Sequence, residues 1–516
     1  MTQGFTSTAT AENFDVIVVG GGPGGSTASS LIAMDGHRVL LLEKEQFPRY
    51  QIGESLLPAT IHGICPMLGV EEEVKNAGFM LKRGGTFKWG TNPDPWTFAF
   101  AVSRRMAGPT SFAYQVERMK FDTILLNNAQ RIGVDVRQNS PVVGIDRNTT
   151  GRVYGLRYLD HTGTPRRATA RFVVDASGHT SKLHNEVGGN REYSPLFKNL
   201  ALFGYFEGAR RLTEPNSGNI LSVAFDSGWF WYIPLSAQLT SVGAVVRRDM
   251  APKIQGDPET ALRRLIDECP MITDFLSTAR RVTDGPYGAI RVRKDYSYSR
   301  AHFWTPGLVL VGDAACFIDP VFSSGVHLAT YSALLAARSI NSTLAETMSE
   351  QRSFGEFEAR YRREFDLFHD FLTAFYDIHI DEKSYFWHAR KVTHRDGSDL
   401  EAFLDLVGGV TSGEFTSEDQ NASRIDRISS AAKLMETAAA DTDEIGDVHY
   451  ALESTLLREV LGEGAQLSAR AILGDLAKSE SPLFDGGLIP SADGRRWTEF
   501  PTARQHGDIS GVSTPR

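Results

Sequence analysis

Residues 14–25 read Phe14-Asp15-Val16-Ile17-Val18-Val19-Gly20-Gly21-Gly22-Pro23-Gly24-Gly25, a short β-branched run that breaks into glycine. An uncharged run of this kind suits a strand buried on both faces of a parallel sheet. The spacing Gly20-x-Gly22-x-x-Gly25 then opens a segment, Ser26 to Met34, whose small residues let a helix lie close on that sheet. A second strand, Arg38-Val39-Leu40-Leu41-Leu42-Glu43, ends in an acid. Strand, glycine turn, helix, strand and acid together make a dinucleotide-binding unit, and this context gives the glycine spacing its specificity. Gly20 permits the tight turn, Gly22 lets the backbone approach a pyrophosphate, and Gly25 allows helix and sheet to close up. Pro23 belongs to the same turn. The pyrophosphate is expected on the helix N-terminus and the ribose hydroxyls on Glu43.

The rest of the chain sets bounds on what this unit serves. Its 516 residues allow two to four domains at roughly 100–200 residues each. With 41% hydrophobic and 23% charged residues, a disordered or fibrous chain is excluded for most of the length. The net charge of −9 gives no electrostatic reason to expect a nucleic acid or an anionic membrane as partner. Three widely spaced cysteines, Cys65, Cys269 and Cys316, build neither a disulfide framework nor a metal finger, so a reducing cytoplasm is the expected setting. Met1 to Asn13 is polar and unlike a secretory signal, and no apolar stretch reaches the roughly 18 residues of a membrane span.

Along the chain, Gly151 to Asp160, the turn at His161-Thr162-Gly163-Thr164 and a return strand ending in Phe172-Val173-Val174-Asp175 suggest a β-meander rejoining the first sheet. After about residue 326 the pattern turns helical. Phe365, Phe368, Leu372, Phe375 and His379 fall three and four apart, a core-facing stripe. Residues 408–425 read as a loop. The expected division is a flexible 1–13, a core at 14–390, a mainly helical region at 391–477 and a polar, partly disordered tail at 478–516.

Two later segments repeat the pattern of apolar strand and small-residue turn: Val173-Val174-Asp175-Ala176-Ser177-Gly178 and Leu308-Val309-Leu310-Val311-Gly312-Asp313-Ala314-Ala315. The arrangement resembles the glutathione-reductase-like flavoproteins of the aromatic-hydroxylase type. That resemblance implies an α/β FAD-binding fold with a mixed-sheet substrate region and a C-terminal helical region. It also implies flavin-binding roles for Asp175, Gly312 and Asp313, and for Arg118 in Tyr114-Gln115-Val116-Glu117-Arg118. No second glycine fingerprint for a nicotinamide is visible, so reduced flavin has to come from a separate reductase.

Two further motifs narrow the family. Gly228-Trp229-Phe230-Trp231-Tyr232-Ile233-Pro234 matches the W-x-W-x-I-P signature of flavin-dependent halogenases, with both tryptophans on one strand face. The segment Gly78-Phe79-Met80-Leu81-Lys82-Arg83-Gly84-Gly85-Thr86-Phe87-Lys88-Trp89-Gly90, downstream of Ile52-Gly53-Glu54-Ser55-Leu56-Leu57-Pro58, resembles the stretch that carries the family's essential lysine. The resemblance puts that role on Lys82; residue chemistry alone leaves Lys88 as its competitor. A lysine suits the task of presenting Cl⁺ from hypochlorous acid, being a compact cation whose pKa falls readily on burial.

The run Gly312 to His327 is similar to the phenol-type halogenases of polyketide and non-ribosomal peptide pathways. By that resemblance Ser323 belongs to the catalytic turn, and Ser324 and Gly325 hold chloride beside the flavin, Gly325 also touching the cofactor. The glutamate of the tryptophan halogenases falls on Phe322, which favours a phenolic or pyrrolic ring, free or tethered to a carrier protein, over an indole. Weaker rivals are an aromatic hydroxylase, a prenyl-lipid reductase and a flavin-binding protein without turnover. No nucleophile elbow, zinc-binding His-Glu-x-x-His or Walker lysine offers another centre.

Overall fold

The computed structural model describes residues 11–89, 95–102, 110–187, 189–377, 482–484 and 486–500. Val16–Val19 lies inside a six-stranded sheet of order Trp304–Thr305, Leu308–Leu310, Phe172–Asp175, Val16–Val19, Val39–Leu42 and Asp135–Arg137. Every neighbouring pair runs parallel except the first. The three motif strands are therefore adjacent, and Gly20, Ala176 and Val311 follow them at one edge. That edge, at the carboxyl ends of the strands, is where an open parallel sheet receives its ligand.

Helix Pro23–Ala33 follows the glycine turn and is buried from Pro23 to Ile32, which its Gly, Ser, Thr and Ala side chains permit. It packs on the helix Gly325–Leu344, where Asn341 Nδ2 donates to the Leu31 carbonyl at 3.4 Å. Helix Glu350–Asp377 covers that one in turn, with Ser339 Oγ bonded to the Ser353 carbonyl at 2.9 Å. The expected stripe is buried at Phe365, Phe368 and Leu372; the Phe375 side chain and His379 lie outside the described residues.

An eight-stranded, mostly antiparallel sheet stands beside this unit, and Gly228–Pro234 runs through it. Alternation along that strand separates two cores. Trp229, Trp231 and Ile233 join the main core, while Phe230 and Tyr232 face Leu262 and Leu265 of the helix Pro258–Asp267. The shared face of the two tryptophans thus follows from their spacing of two.

Three expectations are revised. The return strand is two strands: Pro165–Thr169 pairs with Val153–Leu159 in a separate four-stranded sheet, and Phe172–Asp175 enters the parallel sheet. Arg171 between them lets the chain change sheets, its N–H bonded to the Asp15 carbonyl. The tail is not uniformly loose. Leu488–Pro490 and Trp497–Glu499 form a hairpin, and the Trp497 indole is buried, donating to Ser339 Oγ at 2.9 Å. The N-terminal segment ends in strand, Glu12–Asn13 pairing with Ala168–Thr169. The helical region expected at 391–477 and the loop at 408–425 lie outside the described residues.

The three cysteines are free and buried. Among the described residues no cluster suited to a metal ion occurs, and no helix is long and apolar enough to cross a membrane.

Candidate active site

The glycine turn is built around its own backbone. A Cβ on Gly25 would stand 1.8 Å from the Gly20 carbonyl oxygen, so only glycine closes this contact. Gly22 is different: a Cβ there meets nothing nearer than the tip of Arg49, at 3.3 Å. Gly22 caps the following helix without a side-chain hydrogen bond, Pro23 occupies its first turn, and no acidic residue stands in that turn. Uncapped amides, an open approach at Gly22 and the Arg49 guanidinium make a cradle that fits a pyrophosphate. The FAD expected from the sequence is therefore compatible with the residues present.

Other members of the expected flavin set have their own commitments. Glu43 turns its carboxylate onto the glycine turn, accepting from Gly21 N–H at 2.7 Å and from Glu45 N–H at 2.9 Å. Asp175 closes the turn after its strand, accepting from Ser177 N–H, the Ser177 hydroxyl and the Ser181 hydroxyl. Arg118 holds Asp122 through two bonds of 2.7 and 2.9 Å and donates to the Ile52 and Gly53 carbonyls. In this geometry Arg118 braces the loop that precedes Glu54. Asp313 follows Gly312, whose N–H donates to Ser332 Oγ at 2.9 Å. Burial pushes the Asp313 carboxyl up to about 6, against the opposing pull of Arg118 and Arg191.

Lys82 ends the strand Met80–Lys82 and pairs with Ala113. It is 2% exposed, its Nζ donates to the Leu56 carbonyl at 2.9 Å, and it stands 5.6 Å from the centre of the Phe100 ring. Burial pulls its amine down to about 7. Lys88 is only half-buried, and its charge acts on Cys269 in the second core. Its neighbour Phe87 faces the other way, toward Phe322 at 6.2 Å between ring centres. The two lysines thus sit on different strands, Lys82 in the two-stranded sheet with Ala113–Gln115 and Lys88 at the end of Gly84–Lys88 in the eight-stranded sheet, a separation that residue type alone could not make.

Aromatic rings connect Lys82 to the turn at 320–325. Phe100 contacts Phe98 at 5.8 Å, Phe98 stacks on Phe87 at 6.0 Å, and Phe87 meets Phe322. A second aromatic run, Trp89, Trp229 and Trp231, has successive ring centres 6.2 Å apart. Ile233 and Pro234 continue that strand, both buried.

Beyond buried Phe322, Ser323 adopts a left-handed conformation with φ 61°. Ser324 is fully buried, and its Oγ has no hydrogen-bond partner among the described residues. Gly325 begins the 20-residue helix, with no atom within 4 Å of where its Cβ would stand. A buried, unsatisfied hydroxyl at the uncapped start of a long helix suits a small anion.

Sequence alone does not single out Arg49 beside Gly22 or the buried acid Glu54 within Ile52 to Pro58. Glu54 accepts from the Tyr205 hydroxyl at 2.8 Å. An acid amid apolar motif residues was the available signal.

Comparison with known proteins gives the family and the fold. The family model described as tryptophan halogenase matches residues 15–108 and 101–445. A tryptophan 2-halogenase of Chondromyces crocatus is 33% identical over 422 residues, covering 80% of this chain and 78% of that protein. Among solved structures, the FAD-dependent chondrochloren halogenase of a myxobacterium superposes with a TM-score of 0.72 at 49% identity, covering 94% of this chain and all of that one. A triple mutant of a flavin-dependent brominase gives 0.68 at 25% identity, covering 82% of this chain and all of its own.

Proposed function

The chain belongs to the tryptophan halogenase family of flavin-dependent halogenases, and from that premise we propose that it chlorinates an electron-rich aromatic ring, a phenol or tyrosyl group, free or tethered to a carrier protein. FAD, supplied reduced by a separate flavin reductase, provides with O₂ and chloride the electrophilic chlorine. The single observation that carries the residue assignment is the buried amine of Lys82.

Chloride rests against Ser324 Oγ and the Gly325 end of the helix, where hydroxyl and backbone dipoles favour an anion. The Gly20–Gly25 turn, Arg49 and the Gly312–Asp313 region hold the cofactor, and Ser323 shapes the turn between cofactor and halide. Lys82 receives the oxidant at its buried amine. With its amine near neutrality, it can hydrogen-bond hypochlorous acid as ammonium or, as free amine, accept Cl⁺ and pass it to the ring. Trp229 and Trp231 form a wall that keeps the ring from the flavin, which disfavours hydroxylation. Phe322 leaves no carboxylate at that position to take the ring proton. A phenol meets this lack, because its own oxygen stabilises the cationic ring intermediate. The expected setting remains the cytoplasm.

The testing experiment supplies FAD, NADH, a flavin reductase and chloride, and follows product mass on free phenols, carrier-bound tyrosyl groups and free tryptophan. Chloride-dependent chlorination of a phenolic substrate is expected. Chlorination of tryptophan alone would reassign the substrate, and oxygen insertion without chlorine would make the chain a hydroxylase. Without reductase the protein should not oxidise NADH at a useful rate.

A further inference from the structure

A carboxyl group buried without a cation in contact is costly when ionised and is driven to keep its proton. Glu54 is 1% exposed and sits two residues before Leu56, whose carbonyl holds Lys82. Its close partners are hydroxyls. Tyr205 donates to Oε1 at 2.8 Å, Oε2 is buried with no hydrogen-bond partner among the described residues, and the Ser241 hydroxyl, which takes the Trp231 indole N–H at 3.2 Å, acts on the carboxyl from nearby. The Tyr205 hydroxyl is in turn 2.7 Å from that of Tyr50. Tyr50 is half-buried, with the Arg291 guanidinium 3.6 Å over its ring. A line of hydrogen-bonded hydroxyls thus runs from Glu54 through Tyr205 to half-buried Tyr50, with the Trp231–Ser241 pair near the carboxyl.

The charged and titratable groups around this line are few. Arg118 acts on Glu54 but is committed to Asp122. Glu117 repels it and accepts from the Tyr287 hydroxyl at 3.0 Å. Arg291 and Arg293 act on Tyr50. Desolvation outweighs these and pushes the Glu54 carboxyl up to about 7.

We propose that Glu54, connected to the surface through Tyr205 and Tyr50, holds and delivers the proton consumed when halide is oxidised. The inference rests on the halogenase reading. In that chemistry O₂ takes four electrons, two from the reduced flavin and two from chloride. The flavin's two hydrogens and one further proton then yield oxidised flavin, water and hypochlorous acid. Substitution on the ring exchanges a ring hydrogen for chlorine and releases water, with no net proton, so the single extra proton belongs to the oxidation. Glu54 supplies it and regains one along the tyrosine hydroxyls.

The test begins on flavin-free protein, where activity plays no part. The folded carboxyl keeps its proton to higher pH than the unfolded one, so Glu54's contribution to wild-type stability is full below about 4.5 and is lost as pH rises to about 7. Glu54→Gln should remove that decline. In turnover the variant should bind FAD normally, lose product formation by about 100-fold at pH 6 and lose the fall in rate above neutrality. Tyr50→Phe leaves the core intact and should slow turnover several-fold while raising the solvent deuterium isotope effect. Glu54→Gln with an unchanged stability profile overturns the inference, as do wild-type rates in both variants. If the stability difference appears but the wild type halogenates nothing, the functional reading falls and the proton's use with it, while the titration stays with Glu54.

Discussion

Lys82 Nζ donates to the carbonyl oxygen of Leu56 at 2.9 Å, its one hydrogen bond among the described residues. An ammonium has three donors and this site gives it one acceptor, so burial favours the free amine. Between about pH 7 and 10.5 the unfolded chain therefore binds the proton more fully than the folded one, and stability should rise with pH across that window. Lys82→Met should flatten the rise, which urea melts at pH 7, 8.5 and 10 would reveal. An equally steep rise in both proteins would mean that the amine is not desolvated.

The two glycines of the turn should separate fold from ligand. Gly25→Ala drives a Cβ into the Gly20 carbonyl and should cost about 3 kcal/mol or more of stability. Gly22→Val meets only the movable end of Arg49 and should fold, yet lose FAD because the pyrophosphate's approach is blocked. Thermal melts and flavin fluorescence on the purified variants decide both. A Gly22→Val protein with stoichiometric FAD would remove the cradle from the account.

Ser324 offers a comparably clean separation. Its hydroxyl has no partner among the described residues, so Ser324→Ala forfeits no internal hydrogen bond and should leave stability unchanged or slightly higher. Loss of a hydrogen bond to a charged ligand should raise the KM for chloride about tenfold or more. A chloride titration showing no change in KM would move the halide elsewhere.

Much of the fold could be read because local chemistry dictates it. The run Val16–Val19, the glycine spacing and the acid at Glu43 fix strand, turn and strand without reference to distant residues. Trp229 and Trp231 share a face because strand geometry alone requires it. What was not legible depends on contacts far along the chain. The preference between Lys82 and Lys88 is set by the different sheets they join and by the burial each meets there. The split at Arg171 depends on a hydrogen bond to Asp15, and Trp497 is ordered by two serines of a helix more than 150 residues away.

The claim that Lys82 handles the oxidised halogen is tested most directly by product analysis of Lys82→Ala beside Lys88→Ala. Both are assayed with reductase, FAD, NADH, chloride and the best phenolic substrate. The lysine acts after halide oxidation, and the cofactor is held by other residues. Lys82→Ala should therefore bind FAD as the wild type does and make no chlorinated product. Lys82→Arg should also fail, because a guanidinium stays protonated and is a poor acceptor of Cl⁺. Lys88→Ala, altered on the far face of its strand, should chlorinate at the wild-type rate. Chlorination by Lys82→Ala near the wild-type rate would contradict the account.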